Sequence, residues 1–230
     1  MDKRNYLIGN KLVENNNNIS AVEFAYQGPL LMLQSTNVTA AVTGNVNFKI
    51  LRANSNSENG QCYETFELNE GDQIDIISTN KSVYGYFIIK GGFEINSFWK
   101  SYSINTKAKI GPNDGNKFIL NQKLFIKNKE SKFQKKRIEH LNSKIEFIRV
   151  LKGTNFNYFS EEAIDSFFNK EFIVSKLTDR MGMRIEGPKI DNMVETNIRS
   201  EGLIKGVIQV PGDGNPIIML SDYGTIGGYP

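Results

Sequence analysis

A mainly β fold with a few short helices is what this sequence predicts, and three observations carry the prediction. Short apolar segments recur between residues 21 and 89 with Gly, Asn and Asp between them, the pattern of an all-β barrel or sandwich. Only two stretches carry helix signals. Beyond Arg180 the chain holds nine glycines and four prolines, which suits short strands joined by loops of fixed shape.

The elements follow in order. Asp2 is placed to cap a short helix carrying Tyr6, Leu7 and Leu12. Glu14 to Ser20 contains four consecutive asparagines, Asn15 to Asn18, and reads as a loop. Strands are expected at Ala21–Tyr26, Leu30–Leu33, Val38–Val42, Val46–Leu51, Thr65–Leu68, Gln73–Ile77 and Val83–Ile89. Lys127, Lys129, Lys132, Lys135, Lys136 and Arg137 then crowd one stretch, either a solvated connector or an anion contact. Glu146–Leu151 resumes as a strand. Ser160 caps a second helix whose first-turn acids, Glu161 and Glu162, suit the positive helix end, with Ala163, Ile164, Phe167 and Phe168 on its core face. The expected organisation is an N-terminal lobe over 1–126, a basic linker over 127–143 and a C-terminal lobe over 144–230. A faint internal echo links the lobes: Gln27-Gly28-Pro29 with Glu186-Gly187-Pro188, and Gly91-Gly92-Phe93 with Gly227-Gly228-Tyr229.

Composition narrows the chemistry. The chain has 230 residues, 39% hydrophobic and 23% charged, and its net charge is 28 − 25 = +3. That excess is too small and scattered to imply nucleic-acid binding. No apolar run is long enough for a membrane helix, and Met1 to Asn10 lacks the apolar core of a secretory signal, so a cytoplasmic setting is expected. Cys62 and His140 are the sole residues of their types. An internal disulfide and a Cys/His metal site are therefore impossible within one chain. His140 sits in a basic run with no nucleophile motif beside it and reads as a surface residue. Chemistry must come from Arg, Lys, carboxylates, amides, hydroxyls and backbone groups.

The last third holds the candidates. Arg180 and Arg184 flank Gly182, and a turn there would aim both guanidinium groups at an anion; the alternative is surface pairing with Asp179 and Glu186. Gln209 precedes Val210-Pro211 and offers one donor and one acceptor to an amide or lactam, unless it satisfies backbone instead. Asp222 suits a base or an Asx-turn. Gly227-Gly228 suits an anion nest or a tight turn. Gly212-Asp213-Gly214-Asn215-Pro216 lacks the lysine of a phosphate loop and adds an acid.

The order of these residues resembles a known family. Thr178-Asp179-Arg180-Met181-Gly182-Met183-Arg184-Ile185-Glu186-Gly187-Pro188 is followed by Ser200-Glu201-Gly202, Gly206-Val207-Ile208-Gln209-Val210-Pro211, Asp213-Gly214-Asn215-Pro216, Asp222, Thr225 and Gly227-Gly228-Tyr229-Pro230. Upstream, Asn10-Lys11-Leu12-Val13, Glu23, Gly28-Pro29, Thr43-Gly44, Gly71-Asp72 and Gly91-Gly92 agree with it. The whole resembles the biotin-dependent carboxyltransferase-like family. Its members include the C subunit of bacterial 5-oxoprolinase, the second subunit of allophanate-hydrolase-like pairs, the carboxyltransferase region of urea carboxylase, and KipA.

The resemblance implies two cyclophilin-like β-barrel lobes. It implies a subunit of an ATP-dependent 5-oxoprolinase-like amidohydrolase that works with a KipI-like subunit and a separate hydrolase subunit. Two alternatives stay open: a carboxyltransferase acting on urea or a related acceptor with carboxybiotin, and a KipA-like non-enzymatic regulator. Asp222 and Gln209 become the candidate catalytic residues. Arg180, Arg184, Glu201, Asn215, Thr225, Gly227 and Gly228 become the candidate substrate-binding set. Relatives extend further at both ends, so an incomplete C-terminal lobe is expected. Relatives commonly carry arginine where this chain has Tyr102, Asn116 and Tyr223, and neither Asn nor Tyr offers a charged planar fork. An isolated chain without catalytic activity is therefore expected.

Overall fold

The computed structural model describes residues 1–127, 132–139, 145–195 and 197–230. His140 and Lys129 lie outside the described residues. The chain divides into an N-terminal unit, Asp2–Ser143, and a C-terminal unit, Lys144–Pro230, to which Met1 is joined.

Helix α1, Lys3–Leu12, opens where Asp2 Oδ1 accepts the Asn5 N–H at 3.0 Å. It lies so close to the sheet beneath that a side chain at Gly9 would collide with Ile88. The N-terminal strands are β1 (Val22–Ala25), β2 (Leu30–Met32), β3 (Val38–Thr43), β4 (Val46–Leu51), β5 (Ser57–Asn59), β6 (Thr65–Leu68), β7 (Gln73–Thr79) and β8 (Tyr84–Ile89). They pair antiparallel in two sheets, ordered β1-β8-β3-β6 and β2-β7-β4-β5.

Alternation explains the layering. β4 buries Val46, Phe48 and Ile50 and turns Asn47 and Lys49 outward, as a sheet with one wet face should. β3 is buried on both faces. Val38, Ala40 and Val42 enter the core between the sheets with Phe48, Ile50, Ile74 and Ile76. Ala41 faces the second cluster, which holds Leu12 and Val13 of the α1 end, Tyr63, Tyr86 and Ile88. The unit thus stacks helix, sheet and sheet. Among the described residues the strand pairs do not close into a ring, so the mainly β expectation holds while the sheets remain open.

Three local expectations change. The basic stretch is not free where it is described: Lys136 C=O accepts the Thr65 N–H at 2.8 Å, and the Ile138 N–H donates to Tyr63 C=O at 2.9 Å. Arg137 bridges Glu64, so this segment covers the outer edge of β6. Glu146–Leu151 forms no strand; it finds no ladder partner among the described residues, and Phe147 and Leu151 are exposed. Phe168 also points outward, with 56% of its surface exposed.

The C-terminal unit carries α2 (Glu161–Asn169), capped by Ser160 Oγ accepting the Ala163 N–H at 3.2 Å. Its strands are short: β9 (Ile173–Val174), β10 (Gly182–Glu186), β11 (Glu201–Gly202), β12 (Ile208–Gln209), β13 (Ile217–Met219) and β14 (Ile226–Gly227). They form a sheet ordered β12-β13-β10-β9 and a ribbon, β11-β14. Buried Ala163, Ile190 and Val210 make the core, with Phe159, Phe167 and Phe172 packed on it. No helix among the described residues is long and apolar enough to cross a membrane.

Candidate functional site

The last third of the chain folds its motif residues into two groups. The first is built on the ribbon. Glu201 on β11 lies opposite Gly227 on β14, and Gly202 lies opposite Ile226. The Leu203 N–H donates to Thr225 C=O at 3.0 Å, and the Ile198 N–H to Gly228 C=O at 2.9 Å. Gly227 and Gly228 are therefore strand and strand extension, not a nest of turned amides. Gln209 lies against this ribbon. Its Nε2 donates to Tyr229 C=O at 3.1 Å, and the Val210 N–H donates to Pro230 C=O at 2.8 Å. A β-carbon on Gly227 would stand 2.5 Å from Gln209 Nε2 and 2.7 Å from Oε1, so glycine is what lets the buried amide lie flat on the backbone. Glu201, Gln209, Thr225, Gly227 and Gly228 are thus brought together.

The second group is an ion pair. Arg180 Nε donates to Asp222 Oδ2 at 2.7 Å, and Nη2 to Oδ1 at 3.0 Å, a two-pronged contact. The backbone follows: the Asp222 N–H donates to Arg180 C=O and the Leu220 N–H to Met181 C=O, both at 2.9 Å. The fork and the acid read from sequence are therefore bound to each other across 42 residues.

Arg184 takes a different place. Asp179 turns the chain, its Oδ1 accepting the Met181 N–H at 2.7 Å, and Gly182 then starts β10 instead of centring a turn. Arg184 and Gln209 both lie opposite Ile217, so the three share one face of the sheet. Two strand spacings put the α-carbons of Arg184 and Gln209 about 10 Å apart. Arg184 is exposed and half-buried Asn215 sits in the turn before β13.

That turn does not fit a triphosphate. The Gly214 N–H donates to Pro211 C=O at 2.9 Å, and the Asn215 N–H to Asp213 Oδ1 at 3.0 Å. The amides that would cradle phosphate are engaged, and an acid occupies the turn.

Two contacts had no signal in the linear sequence. Glu201 Oε2 accepts from Thr154 Oγ1 and from Asn155 Nδ2, each at 3.3 Å. In the N-terminal unit the polar groups serve the fold. Arg52 Nη1 donates to Asp72 Oδ2 at 2.7 Å and its Nε to Glu58 Oε1 at 2.8 Å. Burial alone would push the Asp72 carboxyl up; the Asn69 and Ala53 amides and the Arg52 guanidinium outweigh it and hold it below the usual range. Burial, then nearby Glu23, pushes the Tyr86 phenol up, and burial pushes the Cys62 thiol up, away from reactive thiolate.

The chain has counterparts among known proteins. The family profile "Carboxyltransferase domain, subdomain A and B" matches residues 1–230. The C subunit of 5-oxoprolinase from Haemophilus influenzae is 26% identical over 230 residues, covering 100% of this chain and 72% of that protein. Its Escherichia coli counterpart is 28% identical over 164 residues, 70% of this chain and 52% of that protein. The crystal structure of TTHA0988 superposes over 100% of this chain and 43% of its own, with a TM-score of 0.82 at 26% identity. The Kluyveromyces lactis urea amidolyase shares the fold, with a TM-score of 0.82 at 24% identity over 100% of this chain and 15% of its own. The chain thus spans less than half of either solved relative. On its full-length match to the family profile, the chain belongs to the carboxyltransferase-domain family, subdomains A and B.

Proposed function

We propose that the chain is the counterpart of the 5-oxoprolinase C subunit in an amidohydrolase complex, opening 5-oxoproline to glutamate together with a KipI-like subunit and a separate hydrolase subunit. The observation that carries this reading is the group formed by Glu201, Gln209 and Gly227. It sets the exposed Glu201 carboxylate, an acceptor suited to a lactam N–H, on the ribbon that the buried Gln209 amide braces through its own bond to Tyr229 C=O. ATP hydrolysis is assigned to the partner subunits, since the Gly212–Pro216 turn does not fit a triphosphate. In this reading Arg180 and Asp222 orient the segment that leads into β14, and Arg184 supplies the exposed cation for a substrate carboxylate. A soluble, cytoplasmic complex is the setting we propose.

One observation favours a second reading, a KipA-like regulator without catalysis. Asp222, the candidate base, has both carboxylate oxygens on Arg180. Among the described residues no contact singles out the carboxyltransferase alternative, in which a partner delivers carboxybiotin.

The test is reconstitution. Phosphate release dependent on 5-oxoproline is measured for the chain alone, for the chain with both partner subunits, and for the assembly carrying Gln209→Leu. Turnover only in the assembly, lowered by the substitution, is expected. Turnover by the chain alone would overturn this reading. An assembly that forms but never turns over would favour the regulator.

A further inference from the structure

The segment that holds Glu201 is itself held. The Phe156 N–H donates to Gly153 C=O at 3.3 Å and the Tyr158 N–H to Asn155 C=O at 3.0 Å, closing a tight helical turn, Phe156–Tyr158, directly after Asn155. The Met193 N–H donates to Tyr158 C=O at 2.7 Å. Phe159 packs on buried Ala163, Ile190 and Val210. Val210 follows Gln209 directly in sequence. One small core therefore sets both the loop that reaches Glu201 and the strand that carries Gln209.

The Glu201 carboxylate has no part in forming the ribbon. Its backbone pairs with Gly227, and its side chain is exposed. An exposed glutamate on a two-residue strand has several staggered conformers open to it. Two donors on one oxygen, Thr154 Oγ1 and Asn155 Nδ2 on Oε2, select among them. Among the described residues no hydrogen bond or ion pair engages Oε1. A carboxylate oxygen only accepts, so its complement is an N–H or O–H donor.

We propose that Thr154 and Asn155 are positioning residues that hold Glu201 Oε1 as the acceptor for an N–H of the ligand, so that the site selects lactams, amides or ureido compounds bearing a free N–H. The inference rests on the amide-ligand reading given above. A charge-assisted hydrogen bond to that N–H favours the ligand, and a methyl group in its place both removes the donor and leaves the carboxylate facing an apolar group.

The test uses the reconstituted complex and two probes, 5-oxoproline and its N-methyl derivative, with binding read by titration calorimetry. The unsubstituted complex should bind 5-oxoproline at least about tenfold more tightly than the N-methyl compound. Thr154→Val with Asn155→Ala should bring the two affinities within about twofold, by weakening 5-oxoproline while leaving the N-methyl compound unchanged. Thr154→Ser alone should keep most of the discrimination. Undiminished discrimination in the double variant overturns the positioning role. So does equal weakening of both probes, which is what general damage to the fold would produce. If the unsubstituted complex binds neither probe, the amide-ligand reading fails and takes this inference with it.

Discussion

The two units of this chain use different means of holding their shape. Among the described residues the N-terminal unit has clusters of fifteen and six buried apolar residues, drawn mostly from two four-stranded sheets and a helix. Among the described residues the C-terminal unit has one cluster of three, and its longest strand, Gly182–Glu186, has five residues. Its order comes from backbone turns, a two-pronged ion pair and an amide laid on glycine. The contrast suggests a division of labour. Apolar burial is non-directional and supplies the bulk of stability, while polar contacts fix direction and place functional groups. A region built mostly of the second kind is where a ligand is best recognised, and it is also the region more easily opened.

The largest expected effect falls in the N-terminal core. Ile76→Ala empties a position with no exposure at all and should destabilise the unit by about 2–5 kcal/mol, read from urea unfolding. Ile190→Ala in the C-terminal core should cost less, because fewer neighbours surround the vacated space. A larger loss at Ile190 would break the contrast.

Acid should act through Asp72. Its carboxyl is held below the ordinary range in the folded state, so it contributes stability above the unfolded-state value of about 3.9 and loses it as pH falls through the folded value. Asp72→Asn should lower stability at neutral pH by about 1–3 kcal/mol and flatten the acid limb. Thermal melts across pH 2 to about 7 check this; an unchanged acid limb would place the acid sensitivity elsewhere.

In the C-terminal unit, Gly227→Ala should cost about 1–3 kcal/mol by driving Gln209 off the backbone. The smallest effect belongs to Arg180 and Asp222. The pair is partly exposed, with 30% and 15% of the two side chains accessible, so either single neutral substitution should cost only about 0.5–1.5 kcal/mol. Exchanging the two residues should restore part of that loss. Additive losses in the exchanged variant would show that the contact carries no coupling.

How much of this was legible in the sequence follows the same division. Strands that bury side chains announce themselves: Val46–Leu51 lies where the apolar pattern puts it, because alternation is the cause of its burial, and Thr65–Leu68 also falls where its apolar residues place it. β5, Ser57-Glu58-Asn59, is silent, since it is an exposed edge strand on β4 with no apolar side chain to bury. The Gly-Gly echo between the lobes misleads in detail. Gly91 and Gly92 take φ of 81° and 75°, whereas Gly227 is in a strand, so one dipeptide serves two geometries.

Only part of the grouping of the candidate residues is legible in the sequence, and their pairing is not. The motif order points to Glu201, Gln209 and Gly227, which do assemble. Nothing linear says that Arg180 faces Asp222 instead of Arg184, because a contact across 42 residues is decided by how β10 and β13 align. Thr154 and Asn155 stay hidden for the same reason. They lie 47 and 46 residues from Glu201, in a segment whose apolar pattern suggests only a preceding strand.

The central proposal is that the ligand site lies in the C-terminal unit, while the N-terminal unit carries the larger apolar core. Amide hydrogen exchange on the reconstituted complex, with and without 5-oxoproline, tests it most directly. Added protection is expected at Glu201–Gly202, Gln209 and Ile226–Gly227, with β3 and β8 slow and unchanged in both conditions. Protection confined to the N-terminal strands, with the β11–β14 ribbon unaffected, would contradict it.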